Sequence, residues 1–336
     1  MISIIIPVYN VAHYIRKCLD SVISQTFKDF ECVLVDDGSI DESGDICDEY
    51  AAADSRFLVI HKKNEGVALA RLTGFEHSKG EYITFVDADD YVSPEYLEKL
   101  VKPIHEKDAD MVSCDYLTVE NNETIREPRA KLNGEFEKEQ IKDFIEKHYF
   151  YDKETKGYGM TCYLWSKMVK RQSVGSGLKK CLGMWYGEDQ IAMLNMLMEC
   201  EKICLISDRL YYYVKHKGQT SQNYDFSLWN NVIALLKNAE QLCKQNGISP
   251  KEGLRKRTWL FIKDNINRMI KGSVRRAEYI QHLKIMREDE YIQRFFRPYK
   301  IDDGLNGRIK YILLKLRLFH LFYLSVHYRY FLRRSK

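Results

Sequence analysis

No Cys-x-x-Cys pair occurs among the nine cysteines of this 336-residue chain, and Cys200 and Cys204 have no partnering His or Cys at metal-ligand spacing. A zinc ribbon or finger is therefore excluded. The cysteine count is odd, and several sit in apolar runs, such as Cys32 beside Val33, Leu34 and Val35. Buried free thiols in a reducing compartment are expected rather than a disulfide framework. Charge of one sign is also scarce. Fifty-two Lys and Arg against 48 Asp and Glu leave a net charge of +4, too little to argue for a nucleic-acid partner. No charge-free apolar run reaches the ~20 residues a spanning helix needs, because Arg317 and Arg329 interrupt the richest stretch. Met1 to Val8 carries no basic lead or cleavage site, so it does not read as a signal peptide and a cytoplasmic location is expected. Repeats of solenoid period are absent. Acidic residues stop at Asp303, and Arg308, Lys310, Lys315, Arg317, Arg329, Arg333, Arg334 and Lys336 follow.

What the chain does have is ample material for a core: 45% of its residues are hydrophobic. Ile2 to Val8 is a continuous apolar run, the pattern of a parallel strand buried on both faces. Ile15, Leu19, Val22 and Ile23 then repeat at helical spacing. Further strands are predicted at 32–35, 57–60, 82–86 and 111–114, with helices at 42–52, 67–75 and from Pro94. Strands alternating with helices imply βαβ units and a mainly parallel sheet. Ligands bind such sheets at the carboxyl ends of the strands. Polar clusters fall at those ends: Asn10, Asp36-Asp37 and Asp87-Ala88-Asp89. Residues 118–158 read as a polar excursion with one helix, and from about residue 225 the chain reads helical.

Each cluster has two readings. Asp87 and Asp89, two apart on a bend, can converge on a hard divalent cation that bridges a diphosphate, or they can simply favour a turn. Asp37 can accept a hydrogen bond from a base or ribose, or Asp36-Asp37-Gly38-Ser39 can be an N-cap and turn. Tyr9 can stack on a base or be an ordinary surface ring. Arg71 can face a base or phosphate, or pair with a carboxylate. Glu188-Asp189 opens an apolar helix, where acidic residues complement the dipole, but Asp189 can also be a general base. His216 can contact metal or phosphate, or be solvated between two lysines.

Taken together, in chain order, Ser3 to Asn10 with Pro7 and Tyr9, Ser24-Gln25-Thr26, Val35 to Ser39 with Asp41, Asn64-Glu65-Gly66 through Arg71, Gly80 through Asp90, and Gly187-Glu188-Asp189 resemble family-2 glycosyltransferases of the GT-A fold. The resemblance covers roughly the first two-thirds of the chain. It implies inverting transfer from a nucleoside-diphosphate sugar, usually a UDP-sugar, with Mg²⁺ or Mn²⁺. Pro7 and Tyr9 would bind the nucleotide, with Tyr9 stacked on the base; Asp37 would hydrogen-bond the base, with Arg71 nearby. Asp87 and Ala88 would lie near the ribose, Asp89 would be the main metal ligand with Asp87 beside it, and Asp189 would be the base, supported by Glu188. In the looser match over Tyr211 to Ser221, His216 and Ser221 would approach the diphosphate; Val214 and Gln219 depart from that pattern. The Gln-x-x-Arg-Trp signature of processive members is absent, so one sugar per encounter is expected.

The expected organisation is a GT-A α/β domain over residues 1–225, with a nucleotide-sugar half at 1–117 and an acceptor half at 118–225. A helical extension follows at 226–336. Ile312, Leu316, Phe319, Tyr323, Val326 and Tyr330 predict one apolar face on a single basic helix. Residues 307–336 can then touch anionic membrane or pack on the domain. The acceptor expected is a saccharide, polyprenyl-linked at the inner face of the plasma membrane, in capsule, exopolysaccharide or lipopolysaccharide assembly. A sugar-phosphate nucleotidyltransferase and a non-catalytic nucleotide-sugar-binding subunit are the two rival readings. The first would need a Gly-rich phosphate loop, which Pro7-Val8-Tyr9-Asn10 is not. The second would not need the Glu188-Asp189 pair.

Overall fold

The computed structural model describes all residues except 121–122, 126–131, 153–159, 185, 217–225, 227, 272–273, 296–303 and 335–336. The expected residue-225 boundary, Trp185, Gln219 and Ser221 lie outside the described residues.

The first elements are β1 (Ile2–Val8), α1 (Ala12–Ile23), β2 (Phe30–Asp36), α2 (Ser43–Ala53), β3 (Phe57–His61), α3 (Val67–His77) and β4 (Tyr82–Phe85). They match the expected alternation. Next come β5 (Tyr91–Val92), α4 (Tyr96–Lys107), β6 (Met111–Glu120), β7 (Glu123–Ile125), β8 (Gly134–Glu137), and α5 (Lys138–Phe144), which runs into a π-helical turn at Ile145–Tyr149. Among the described residues the polar excursion thus holds β7 and β8 and the end of β6 besides its helix. Then follow β9 (Lys167–Lys170), α6 (Arg171–Lys180), α7 (Glu188–Glu199) and β10 (Lys202–Lys215).

The sheet runs β3-β2-β1-β4-β9-β6-β10-β5, with β7 on β6 and β8 on β10. β1 pairs in parallel with both β2 and β4, so strand order reverses beside β1. That reversal opens a crevice at the carboxyl ends of these strands. β9 runs antiparallel to its neighbours β4 and β6, so it begins at the same edge where they end. The residues just before β9 therefore border the crevice.

Both sheet faces are covered. Ile2, Ile4, Ile6 and Val8 join one apolar cluster with α1 and α4, while Ile5 joins the other. This double burial is why β1 reads as an unbroken apolar run rather than alternating. All nine cysteines are free and buried, as expected.

The C-terminal helices are α8 (Leu228–Gln245), α9 (Lys251–Lys271), α10 (Arg276–Glu288), α11 (Glu290–Phe295), α12 (Gly304–Lys315) and α13 (Phe319–Arg334). Trp229, Leu235, Ile262, Leu283 and Phe322 share one apolar cluster with Phe144, Ile191 and Leu194 of the sheet domain. The single terminal helix expected from periodicity is broken. Arg317 takes φ 59, its N–H donates to the Leu314 carbonyl, and the Leu318 N–H donates to Leu313. This left-handed closure ends α12. The cause is tertiary: the reversal lets Phe319, Phe322 and Val326 bury, while Ile312 and Leu316 stay exposed.

Candidate active site

The wall after β1 and β2 is tied by backbone-to-side-chain bonds. The Asn10 N–H donates to Ser39 Oγ (3.1 Å), the Ile40 N–H to Asn10 Oδ1 (2.9 Å), and the Ala12 N–H to Asp41 (3.1 Å). Tyr9 projects here with 49% of its surface exposed, enough ring for a planar ligand to stack on. Pro7 precedes it within β1, half-buried. Asp37 is buried and already engaged: Lys62 Nζ (3.0 Å) and the N–H groups of Glu65 (3.1 Å) and Gly66 (2.8 Å) donate to it. Gly38 makes this turn possible, because its φ is +76 and an added Cβ would stand 2.8 Å from the Asn64 nitrogen. Gln25, in the Ser24-Gln25-Thr26 motif, is structural. It donates to the Ser93 carbonyl (2.7 Å) and accepts from the Leu97 N–H (3.0 Å), pinning α1 to the start of α4.

The bend after β4 carries Asp87 to Asp90. Asp90 is buried and braces the bend. Tyr211 donates to it (2.7 Å) and in turn accepts from the Asp87 N–H (3.1 Å), while the Val214 N–H donates to its other oxygen (2.8 Å). Burial pushes its carboxyl well above the usual range, helped by Asp89 and Asp87. Ala88 is buried between the half-buried Asp87 and Asp89. Asp89 meets His216 Nε2 at 2.9 Å, and the His216 ring stacks on Tyr14 with centroids 4.3 Å apart. His216 is thus drawn into the crevice instead of standing in solvent.

Arg71 lies at the centre. Its side chain is 4% exposed, and it reaches Asp87 (2.9 Å), Asp189 (2.5 Å) and, more distantly, Glu188 (3.9 Å). α3 and α7 therefore meet across one guanidinium. Arg71 is thus the counter-ion of the carboxylates. Burial raises the Asp189 carboxyl to about 7, against the pull of Arg71 and with the push of Glu188 and Asp87. Burial raises Asp87 as well, again opposed by Arg71. A carboxylate near 7 is poised to take a proton at neutral pH. Gly187 starts α7 with φ +75, and an added Cβ there would strike Leu235 Cδ2 at 2.5 Å. Helix α8 thus buttresses the turn that presents Asp189.

The model of glycosyl transferase family 2 matches residues 3–169. The chain belongs to this family. The glycosyltransferase GlyA of Streptococcus pneumoniae is 36% identical over 221 residues, 66% of this chain and 31% of that protein. Uncharacterized glycosyltransferase EpsJ of Bacillus subtilis is 33% identical over 228 residues, 66% of this chain and 63% of that protein. The chain therefore spans less than two-thirds of either relative. Among solved structures, S. aureus TarS 1–349 in complex with UDP-GlcNAc superimposes with TM-score 0.65 at 19% identity, covering 98% of this chain and 91% of that one. That likeness establishes the GT-A fold, helical C-terminal region included.

Further residues that motif reading passed over shape this site. Asp90 and Tyr211 brace the acidic bend, and Tyr14 holds His216. Lys167 at the start of β9 is fully buried; it donates to Thr161 Oγ1 (2.5 Å) and the Trp165 carbonyl (3.2 Å). Burial lowers it to about 8, and its charge helps hold Asp189 down. The alternation of Tyr211 and Tyr213 on one face of a strand was the available signal for the first pair. Lys167 gave none, since a lysine between apolar residues reads as exposed.

The residues also suit a divalent cation. Asp89 offers a hard oxygen and His216 an imidazole nitrogen on the same side, a set that Mn²⁺ accepts. One Asp87 oxygen is taken by Arg71. Among the described residues no three His, Cys, Asp or Glu side chains converge to hold a metal ion, so the protein would supply fewer than three such ligands from this arrangement. Such an open set fits a cation that completes its shell with diphosphate oxygens and water.

Proposed function

We propose that this glycosyltransferase moves one sugar from a UDP-sugar to a hydroxyl of a saccharide acceptor, with inversion at the anomeric carbon. The observation that carries the proposal is the Asp87–Arg71–Asp189 bridge, which puts a carboxyl raised to about 7 beside the acidic bend. Asp189 takes the proton of the acceptor hydroxyl as its oxygen attacks the anomeric carbon. The bond from that carbon to the diphosphate oxygen breaks on the opposite side, and the electron pair leaves with UDP. Tyr9 stacks on the base. Asp37 keeps the neighbouring loop closed through Lys62, Glu65 and Gly66, and orients the base from there. Asp89 and His216, with Asp87, would hold Mg²⁺ or Mn²⁺. The cation, when bound, neutralises charge on the departing diphosphate. Glu188 raises the basicity of Asp189 through their mutual repulsion.

Calorimetric titration of UDP with and without Mn²⁺, repeated on Asp89→Ala, tests this. Metal-dependent binding that collapses in the variant is expected. Undiminished binding to the variant would remove Asp89 as a ligand, and no UDP binding to the folded wild type would refute the donor.

The exposed apolar residues of α12 and α13 support a peripheral role. No helix among the described residues is long and apolar enough to cross a membrane. Ile309, Ile312, Leu316, Leu318, Leu321 and Leu324 are each at least 41% exposed, beside exposed Arg308, Lys315 and Arg317. This pattern suits residues 307–336 lying on an anionic leaflet on the cytoplasmic side. There the enzyme would meet a lipid-linked acceptor of cell-surface polysaccharide assembly. Sedimentation with phosphatidylglycerol vesicles should be lost in Leu321→Asp/Leu324→Asp; unchanged sedimentation would refute the contact.

A further inference from the structure

A row of parallel rings runs outward from the acidic bend. Tyr211, hydrogen-bonded to Asp90 and Asp87, stacks on Trp165 with centroids 4.6 Å apart and planes at 13°. Trp165 is buried, bridges Phe85 at the end of β4, and also faces Tyr213 (5.8 Å, 9°). Tyr116 meets its edge at 4.9 Å and 84°. Tyr163 also lies parallel to Trp165, at 5.0 Å and 9°. Tyr163 ends the row and is 42% exposed.

An exposed tyrosine alone means little. This one is held flat by the ring beneath it, and that ring is fixed to the sheet by Phe85 and braced by three tyrosines. Its outer face meets no other ring or cation among the described residues. The Tyr163 segment ends in Lys167, whose charge acts on Asp189. Because β9 starts at the edge where β4 and β6 end, this segment borders the crevice on the side away from Tyr9.

We infer that Tyr163 is the platform of an acceptor subsite and that it takes a pyranose ring by its C–H face. The rigid negative face of the ring attracts the slightly positive axial hydrogens of a β-gluco- or β-galacto-configured sugar. A flexible polyol phosphate has no such face and would gain little from a neutral aromatic plane. The inference deepens the proposed transfer to a saccharide and rests on that reading for its direction of chemistry.

Saturation-transfer NMR on the full chain tests it, with UDP and diamagnetic Mg²⁺ present as an internal control. The probes are methyl β-D-glucopyranoside, methyl β-D-galactopyranoside, methyl N-acetyl-β-D-glucosaminide and ribitol 5-phosphate. At least one glycoside should receive saturation, strongest at its axial C–H protons. Tyr163→Ala should weaken that glycoside about tenfold, the scale of one lost stacking contact. Tyr163→Phe keeps the plane and should bind like the wild type, which separates stacking from hydroxyl contact. UDP should saturate equally with all three proteins. Glycoside signals unchanged in Tyr163→Ala, or absent from the wild type while UDP saturates, would overturn the platform. A stronger response from ribitol 5-phosphate than from any glycoside would also overturn it. Loss of the UDP signal from the wild type would instead refute the donor reading, and the glycoside comparison would still decide Tyr163.

Discussion

Replacing Arg71 by Met removes the cation that bridges Asp87 and Asp189 while keeping a side chain of similar length. Both carboxylates then lack their buried partner, a loss that costs about 3–5 kcal/mol when one member of a buried pair is deleted. For a chain of this size about 2 °C is lost per kcal/mol, so the melting temperature should fall by about 6–10 °C. The loss should depend on pH. Asp189 sits at about 7 with Arg71 present, and without the guanidinium its carboxyl rises further. Above neutral pH the folded variant then holds protons that the folded wild type has released. Stability falls with pH wherever the folded state binds more protons than the unfolded one. The gap between the two proteins should therefore widen from pH 6 to 9, by at most about 1.4 kcal/mol per unit for each extra proton. Thermal melts of both proteins across that range, in the absence of nucleotide and metal, read this directly. A gap that is flat with pH, or a fall below about 2 °C, would refute the counter-ion role and leave Arg71 as packing.

Three further outcomes follow from the same geometry. The kcat/KM for transfer should rise with pH to a plateau, with its midpoint near 7, because the ionised form of Asp189 is the one that accepts the proton; a flat profile between pH 5 and 8 would exclude Asp189 as the base. Asp189→Asn should lower kcat by about 10²–10⁴, the usual contribution of a general base, while UDP titration gives the wild-type affinity; an active variant would point to Glu188 instead. Gly187→Ala should cost about 2–5 kcal/mol in denaturant unfolding, combining left-handed strain with the clash against Leu235. Adding Leu235→Ala should then cost less than it does alone, since the added methyl fills part of the space; strict additivity would argue against that contact.

The β1 to β4 strands and their helices were legible because parallel strands covered on both faces leave continuous apolar runs. Their carboxyl-end clusters were legible for the same reason: polar residues stand out where such a run stops. β5 and β9 were not. β5 is two residues long, below any periodicity, and β9 is Lys-Met-Val-Lys, whose first lysine is buried only because the segment is inserted between β4 and β6. The terminal helix misled for a related reason. A repeat of three and four residues fits one helix, but burying Phe319, Phe322 and Val326 required a turn at Arg317 that periodicity cannot encode.

Local pattern by itself determined that β1 to β4 are strands, that these four pair in parallel, and that Asp37, Asp87 and Asp89 stand at strand ends. These depend on the order of apolar and polar residues within a few turns of chain. Tertiary structure alone decided the pairings: Arg71 with Asp189, 118 residues away, His216 with Asp89, 127 away, and Tyr163 on the ring stack that leads back to Asp90. Electrostatic and stacking energies depend on distance through space and on exclusion of water. Those quantities exist only once β4, β9, β6 and β10 lie side by side and the C-terminal helices close over α7.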